Sequence, residues 1–342
     1  MKRRIVVDLD DRRPLLAIPA WAIDEIRAAL PPEWECVVVD ERSDGSGDGG
    51  APTPGALAAA RGAEVYLGYG IPAELFEAAG STLRWAHSGA AGVGGSLHPA
   101  MIESDVTLTN SAGVHAEPIA DTVLAAILHF ARGLDFAVRY QAERRWEREP
   151  WHAADSPVRE LSQLTLGIHG LGGIGLACAR RALALGMRVI ATRRRAAAAP
   201  DGIELLVGDD ALPRLLARSD VLLVTVPATP ETLGSIGPRE LDLLPANATV
   251  ILVSRGGVVD EDALIRALRG GGVRGAALDV FAEEPLPEQS PLWGLPNVLI
   301  TPHISGSTHL FWRRETDLIV ENLRRYQAGA PLLNTVDKRA GY

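Results

Sequence analysis

Residues 164–195, LTLGIHGLGGIGLACARRALALGMRVIATRRR, leave the chain few folds to choose from. A short apolar run, Leu164 to Ile168, leads into glycines at 170, 172 and 175 in the spacing G-x-G-x-x-G. Small and apolar residues then keep helical spacing from Ile174 to Leu185. Gly186 stops that helix, and a second strand runs from Met187 to Thr192. Each glycine has a physical reason to be there. The first permits the sharp turn out of the strand, the second lets backbone approach a pyrophosphate, and the third lets helix and strand pack closely. Amides at the helix start then face an anion. The pattern predicts a dinucleotide site at Gly170, Leu171, Gly172, Gly173, Ile174 and Gly175. The plainer alternative is an α/β turn that binds nothing.

An α/β rhythm surrounds this stretch. Strand-like runs at 5–9, 36–39, 65–67, 83–87 and 106–109 alternate with helical spacing at 21–30, just after 55, and at 72–79. They predict a small doubly wound domain over roughly the first 110 residues. The segment 42–55, rich in Gly, Ser, Asp and Pro, reads as a mobile surface loop. Beyond the glycines, helical spacing at 212–217, 238–244 and 260–269 alternates with strands at 220–226, 249–253, 273–279 and 298–300, so 117–302 reads as a complete Rossmann domain. The helix 116–132 carries Ile119, Val123, Ile127 and Phe130 on one face with Leu124 and Leu128 beside it. It belongs in a core, a subunit interface or both. The charged segment 141–156 carries Trp146 and Trp151, which either cover a partner subunit or fold back on their own chain. An amphipathic helix is expected at 308–327.

Composition narrows the function classes. A length of 342 residues accommodates two domains, and 47% hydrophobic residues supply their cores. A net charge of −9 argues against a nucleic-acid partner. No apolar run is long enough to span a membrane, and MKRRIVVDLDD lacks the apolar stretch of a signal peptide. The two cysteines, Cys36 and Cys178, lie far apart, which points to a reducing cytoplasm and no disulfide framework. No metal is expected.

Three residues stand just past strand ends of the second half: Arg255 in VSRGG, Glu284 in LDVFAEEPLP and His303 in TPHISG. Ends on one side of a parallel sheet open onto one crevice, so all three are candidates to converge beside the cofactor. Hydride transfer to a carbonyl needs a proton donor for the oxygen, and histidine suits that near neutral pH. A carboxylate such as Glu284 favours the imidazolium and orients the ring. Arg255 suits a substrate carboxylate and a polarised carbonyl, with two small glycines after it leaving room for a ligand. Singly, each has a plainer reading as a structural or solvated group. The same holds for the glycine-rich run 89–95, whose amides either hold a carboxylate or form a surface turn.

Taken together, 164–186, 221–234 (VLLVTVPATPETLG), 252–268 (LVSRGGVVDEDALIRAL) and 275–303 (GAALDVFAEEPLPEQSPLWGLPNVLITPH) resemble the D-isomer-specific 2-hydroxyacid dehydrogenase family, which includes D-lactate, glyoxylate/hydroxypyruvate and phosphoglycerate dehydrogenases. The resemblance implies Arg255 as the substrate- and carbonyl-binding arginine, Glu284 rather than Glu283 as the acid that orients histidine, and His303 as general acid/base. It implies Asp279 as a contact of the nicotinamide carboxamide, and Ala90, Ala91 and Gly92 as the loop whose amides bind a substrate carboxylate. Further cofactor contacts are expected at Thr192, Val226, Pro227, Thr232, Val253 and Ser254. The family fold is α/β, with two Rossmann-like doubly wound domains and a cleft between. The resemblance further implies a discontinuous substrate domain, 1–112 plus 306–342, and an NAD(P)-binding domain, 113–305, that builds a homodimer.

This chain departs from the family at two places. The family loop often reads G-V-D, whereas Gly94 follows Val93 here. Ala120-Asp121-Thr122 replaces a frequent Ala-Glu-His. The substrate side chain is expected to meet 69–72, 87–94 and 305–312, where His309 and Trp312 offer polarity and bulk. NAD-specific members carry an acid at the end of the second strand for the ribose 2′-OH. Here Thr192-Arg193-Arg194-Arg195 stands there, so NADP(H) is favoured and NAD(H) stays possible. The sequence therefore predicts an NAD(P)-dependent D-2-hydroxyacid dehydrogenase working on small 2-oxoacids. The alternatives are a cofactor-sensing corepressor or scaffold on the same fold, or a dehydrogenase for formate or phosphite.

Overall fold

The computed structural model describes residues 3–194 and 200–342. The chain divides into two compact units, Met1–His115 with Ser307–Tyr342, and Ala116–Gly306. The first unit holds five parallel strands: β1 (Arg3–Asp8), β2 (Trp34–Val38), β3 (Val65–Gly68), β4 (Trp85–Ser88) and β5 (Thr107–Asn110). Their order is β2-β1-β3-β4-β5. The second unit holds seven: β6 (Thr165–His169), β7 (Arg188–Thr192), β8 (Ile203–Leu206), β9 (Val221–Val224), β10 (Thr249–Leu252), β11 (Gly275–Leu278) and β12 (Val298–Ile300). Their order is β12-β11-β10-β9-β6-β7-β8, again all parallel.

Central strands of such a sheet are covered on both faces and so read as continuous apolar runs. Val221–Val224, VLLV, is buried along its whole length. Connectivity in the second unit starts at β6, runs outward through β7 and β8, then returns to β9 on the other side of β6. The reversal lies between β6 and β9, where open α/β sheets collect ligands beyond the strand ends.

Helix Ala116–Ala131 buries Ile119, Val123, Ile127 and Phe130 in the core of the second unit, against helix Gly173–Ala184. Phe130 occupies the space beside Gly275, where an added Cβ would stand 2.6 Å from the ring. Of the two alternatives for the arm after it, the chain folds back on itself at Trp151. Its indole Nε1 donates to the Arg132 carbonyl at 3.1 Å, and its ring meets Phe136 edge-on. Trp146 stays 88% exposed. The intervening helix Leu134–Ala142 is anchored by a buried Arg274–Asp135 ion pair of 2.9 Å.

One expectation needs correcting. The segment 42–55 is more than a mobile surface loop: the Asp48 carboxylate accepts hydrogen bonds from the loop after β4. A second correction concerns Trp312, expected near the substrate. It is 6% exposed, packed in the core of the first unit against Phe311. Tyr69 and Ile71, in the stretch 69–72, are buried in the same way.

Candidate active site

The glycine turn follows β6. Gly170 has φ +104°, and a Cβ there would press on Val226 at 2.8 Å. Gly175 lies over the Gly170 carbonyl, which a Cβ would approach to 2.6 Å. Gly172, by contrast, has open space where its Cβ would be. Helix Gly173–Ala184 begins there with no side-chain cap. Its first amides have no intrahelical acceptor, so Gly173, Ile174 and Gly175 present donors beside that open space. Leu171 is buried, and its amide bonds the Thr192 carbonyl at 2.9 Å, tying the turn to the end of β7. Thr225 donates its hydroxyl to the Gly170 carbonyl at 2.6 Å, tying it to the end of β9. Past β9, Thr232 folds its hydroxyl back onto the Pro227 carbonyl at 2.6 Å.

His169, the residue before the turn, carried no expectation. Its Nδ1 lies 3.0 Å from Thr192 Oγ1, its Nε2 is buried with no partner, and burial pushes its pKa down to about 4. Val253 and Ser254, past β10, are both buried, and Ser254 Oγ likewise has no partner. Buried polar atoms are normally satisfied, so two orphans at the ligand-collecting edge mark a place for a polar guest.

The three charged candidates follow the adjacent strands β10, β11 and β12. Glu284 and His303 are in direct contact: Glu284 Oε2 lies 2.7 Å from His303 Nδ1, while Oε1 accepts the Phe281 amide at 3.0 Å. His303 adopts φ +54°, a conformation non-glycine residues seldom take. Asp279 frames it. Its buried carboxylate accepts from Thr301 Oγ1, the Ile304 amide at 2.9 Å, the Ser305 amide at 3.0 Å and Ser305 Oγ. Arg255 lies in the exposed turn past β10, with a guanidinium nitrogen on the Ser254 carbonyl at 2.7 Å. The reason for glycine after it differs from the expected one. A Cβ on Gly256 would overlap the Phe281 carbonyl, so the glycine lets the Arg255 and Glu284 loops touch rather than leaving room for a ligand.

The second unit's sequence matches the family model described as D-isomer specific 2-hydroxyacid dehydrogenase, NAD binding domain, over residues 124–305. The chain belongs to this family. A glyoxylate reductase of Korarchaeum cryptofilum is 36% identical over 271 residues, spanning 78% of this chain and 80% of that one. A family member from Xanthobacter autotrophicus, solved in complex with NADPH and MES, superposes with a TM-score of 0.80 at 32% identity, over 100% of this chain and 99% of that one. An NADPH-dependent glyoxylate/hydroxypyruvate reductase of Sinorhizobium meliloti, solved with NADP and sulfate, gives 0.78 at 26% identity over the full length of both. This chain is thus an NAD(P)-dependent oxidoreductase with 2-hydroxyacid dehydrogenase, or 2-oxoacid reductase, activity. No helix among the described residues is long and apolar enough to cross a membrane.

The remaining family expectations fall as follows. The Asp279 carboxylate is engaged by four donors, so a contact with the nicotinamide carboxamide would share an occupied group. Arg193 and Arg194 are exposed at the end of β7, and Arg195 lies outside the described residues. In the first unit, the Ala90 carbonyl accepts the Ser111 amide at 3.2 Å and the Ala91 carbonyl accepts Asn110 Nδ2 at 2.7 Å. The amides of Ala91 and Gly92 have no acceptor among the described residues. His309 is exposed. Asp121 pairs with Arg181 at 2.9 Å, and Thr122 hydrogen-bonds the Pro118 carbonyl at 3.2 Å.

Proposed function

We propose that this dehydrogenase reduces small 2-oxoacids of the glyoxylate and hydroxypyruvate kind, with NADP(H) preferred over NAD(H). The 2.7 Å His303–Glu284 pair at the ends of β11 and β12 carries this reading. The residues at the glycine turn fit a dinucleotide. Gly172 faces open space, uncapped helix amides stand beside it, and Ser254 Oγ and His169 Nε2 await partners. Bound there, the cofactor would supply the hydride. Gly170 to Gly175 hold the pyrophosphate, and Thr192, Val226, Pro227, Thr232, Val253 and Ser254 line its bed. Arg193 and Arg194 favour a 2′-phosphate, which no acid at the end of β7 repels. The solved NADPH and NADP complexes of similar proteins support this choice.

Glu284 holds His303 by Nδ1, which leaves Nε2 as the nitrogen that carries a proton to the substrate oxygen. Arg255 neutralises charge growing on that oxygen and pairs with the substrate carboxylate. In the first unit, the amides of Ala91 and Gly92 are donors for a substrate carboxylate, which makes that unit the substrate domain.

The test is oxidation of NADPH and of NADH by the purified protein with glyoxylate, hydroxypyruvate, pyruvate and phenylpyruvate. Turnover with glyoxylate and a preference for NADPH are expected. His303→Ala should lower kcat by about 10²–10⁴-fold with NADPH affinity unchanged. No turnover on any 2-oxoacid would shift the reading to a cofactor-sensing corepressor or scaffold, and near-normal turnover of the variant would remove His303 from its role.

The reading also includes a cytoplasmic homodimer built on the second unit. Free Cys36 and Cys178 are in keeping with a reducing compartment. The exposed Trp146, with Leu134 and Val138 on the neighbouring helix, gives a partner something to cover. Sedimentation equilibrium should give twice the 36.4 kDa chain mass; a monomer at micromolar concentration would sink the dimer.

A further inference from the structure

Asp48 is 47 residues from Gly95 in sequence, yet its carboxylate caps the turn that ends the substrate loop. One carboxylate oxygen accepts from the amides of Gly95 and Ser96, the latter at 3.3 Å. The other accepts from the Ser96 hydroxyl. Ser96 is fully buried, and its Oγ also accepts the Ile71 amide at 2.9 Å. The backbones are packed as closely as the side chains. A Cβ on Gly95 would overlap the Asp48 carbonyl, and a Cβ on Gly70 would stand 2.9 Å from Asp48 Cα. The loops after β2 and β4 therefore meet on one carboxylate, and the loop after β3 packs against the Asp48 backbone and bonds Ser96.

That junction controls the loop 90–92 from one end. The incoming side is fixed by β4 and by Asn110 and Ser111, which hold the Ala91 and Ala90 carbonyls. The outgoing side passes through buried Val93, whose carbonyl accepts the Ser96 amide at 3.1 Å. Without Asp48, the Gly95 amide and the Ser96 hydroxyl lose their acceptor, and the turn that anchors Val93 loosens. Gly94 offers no local side chain to replace it.

We propose that Asp48 is a positioning residue for the substrate. It caps the turn that ends the loop, and so keeps the Ala91 and Gly92 amides aligned on a 2-oxoacid carboxylate. This rests on the reading of 90–92 as the carboxylate loop. A substrate carboxylate is gripped equally before and during hydride transfer, so loosening the grip raises KM and leaves kcat alone.

The experiment is steady-state NADPH oxidation by the full chain with glyoxylate. Asp48→Ala should raise KM about ten-fold with kcat and the NADPH Kd held within about two-fold. Adding Gly94→Asp should reverse the rise. The Gly94 position has open space for a side chain, and an Asp there reaches the amide two residues on, that of Ser96. Ser96→Ala, which keeps Asp48 and both amides, should raise KM less. It carries the test should Asp48→Ala fail to fold, and an unchanged KM in it would then overturn the proposal. A wild-type KM in Asp48→Ala, a rise that Gly94→Asp leaves standing, or a parallel loss of cofactor affinity would each overturn it too. Should the unmutated protein reduce no 2-oxoacid, the reading beneath the proposal fails and the proposal falls with it. Failure of the Asp48 variants alone leaves that reading intact.

Discussion

The clearest division among single residues is between the two histidines on the cofactor unit's strand ends. His303 is half exposed and held by a carboxylate, whereas His169 is half-buried, its Nε2 wholly so, and held by a hydroxyl. Burial holds His169 at about 4, against about 6.5 for a free imidazole. Between those values the unfolded chain binds a proton that the native protein does not. Its contribution to stability is complete above pH 6.5 and is lost as the pH falls toward 4. At about 1.4 kcal/mol per pKa unit, the loss is roughly 2–3 kcal/mol by pH 4.5. Thermal melts from pH 8 to pH 4.5 should show His169→Gln losing less Tm than the unmutated protein; parallel curves would mean that His169 is already charged in the fold. Asp48 belongs to the same scale: its carboxylate caps a turn 47 residues away in sequence.

At the scale of elements, sequence pattern carried far where one face is apolar and little elsewhere. The buried strands of both sheets and the helices 116–131, 173–184 and 261–270 announce themselves, because continuous apolar runs and helical spacing are direct consequences of their burial. The strand β8 does not. It is the edge of its sheet, so Glu204 is exposed and only Ile203 and Leu206 are buried, too short a pattern to stand out. Helix 134–142 is hidden for a different reason. It is held by the buried pair of Asp135 with Arg274, 139 residues apart, and no local spacing reports such a bond. The candidate site divides in the same way. Arg255, Glu284 and His303 were legible because strand ends and a shared motif place them. Asp279's four bonds to the His303 loop, the close approach at Gly256 and the cap by Asp48 are contacts between distant loops. Glycines 70, 95 and 256 were their only local trace, and sequence reads a glycine as a turn before it reads a close approach.

For the whole molecule, the telling feature is that the first unit is made of both ends of the chain. Helix Phe311–Gln327, which follows the cofactor unit in sequence, packs against β4 of the first unit, and one buried side chain fastens it. Glu315 is fully buried. Its Oε1 lies 2.8 Å from His87 Nε2 and accepts the Ser111 hydroxyl at 2.9 Å. His87 Nδ1 in turn meets Thr109 Oγ1 at 2.8 Å. The residues so joined, 87 and 315, are 228 apart, so the first sheet cannot complete its core until the last helix has been made. Glu315 Oε2 has no partner, so the network gains little beyond what the paired oxygen supplies. Removing one partner of a buried hydrogen-bonded pair leaves the other unsatisfied and costs about 1–3 kcal/mol, whereas replacing both with apolar residues is often nearly neutral. Glu315→Ala should therefore lower the unfolding free energy by about that amount, and the double variant His87→Leu with Glu315→Leu should recover most of it. Guanidinium titration of the three proteins decides the matter. If the double variant is as unstable as the single one, the buried pair itself fastens the helix, and the apolar face of Phe311, Trp312, Ile319 and Leu323 is not enough alone.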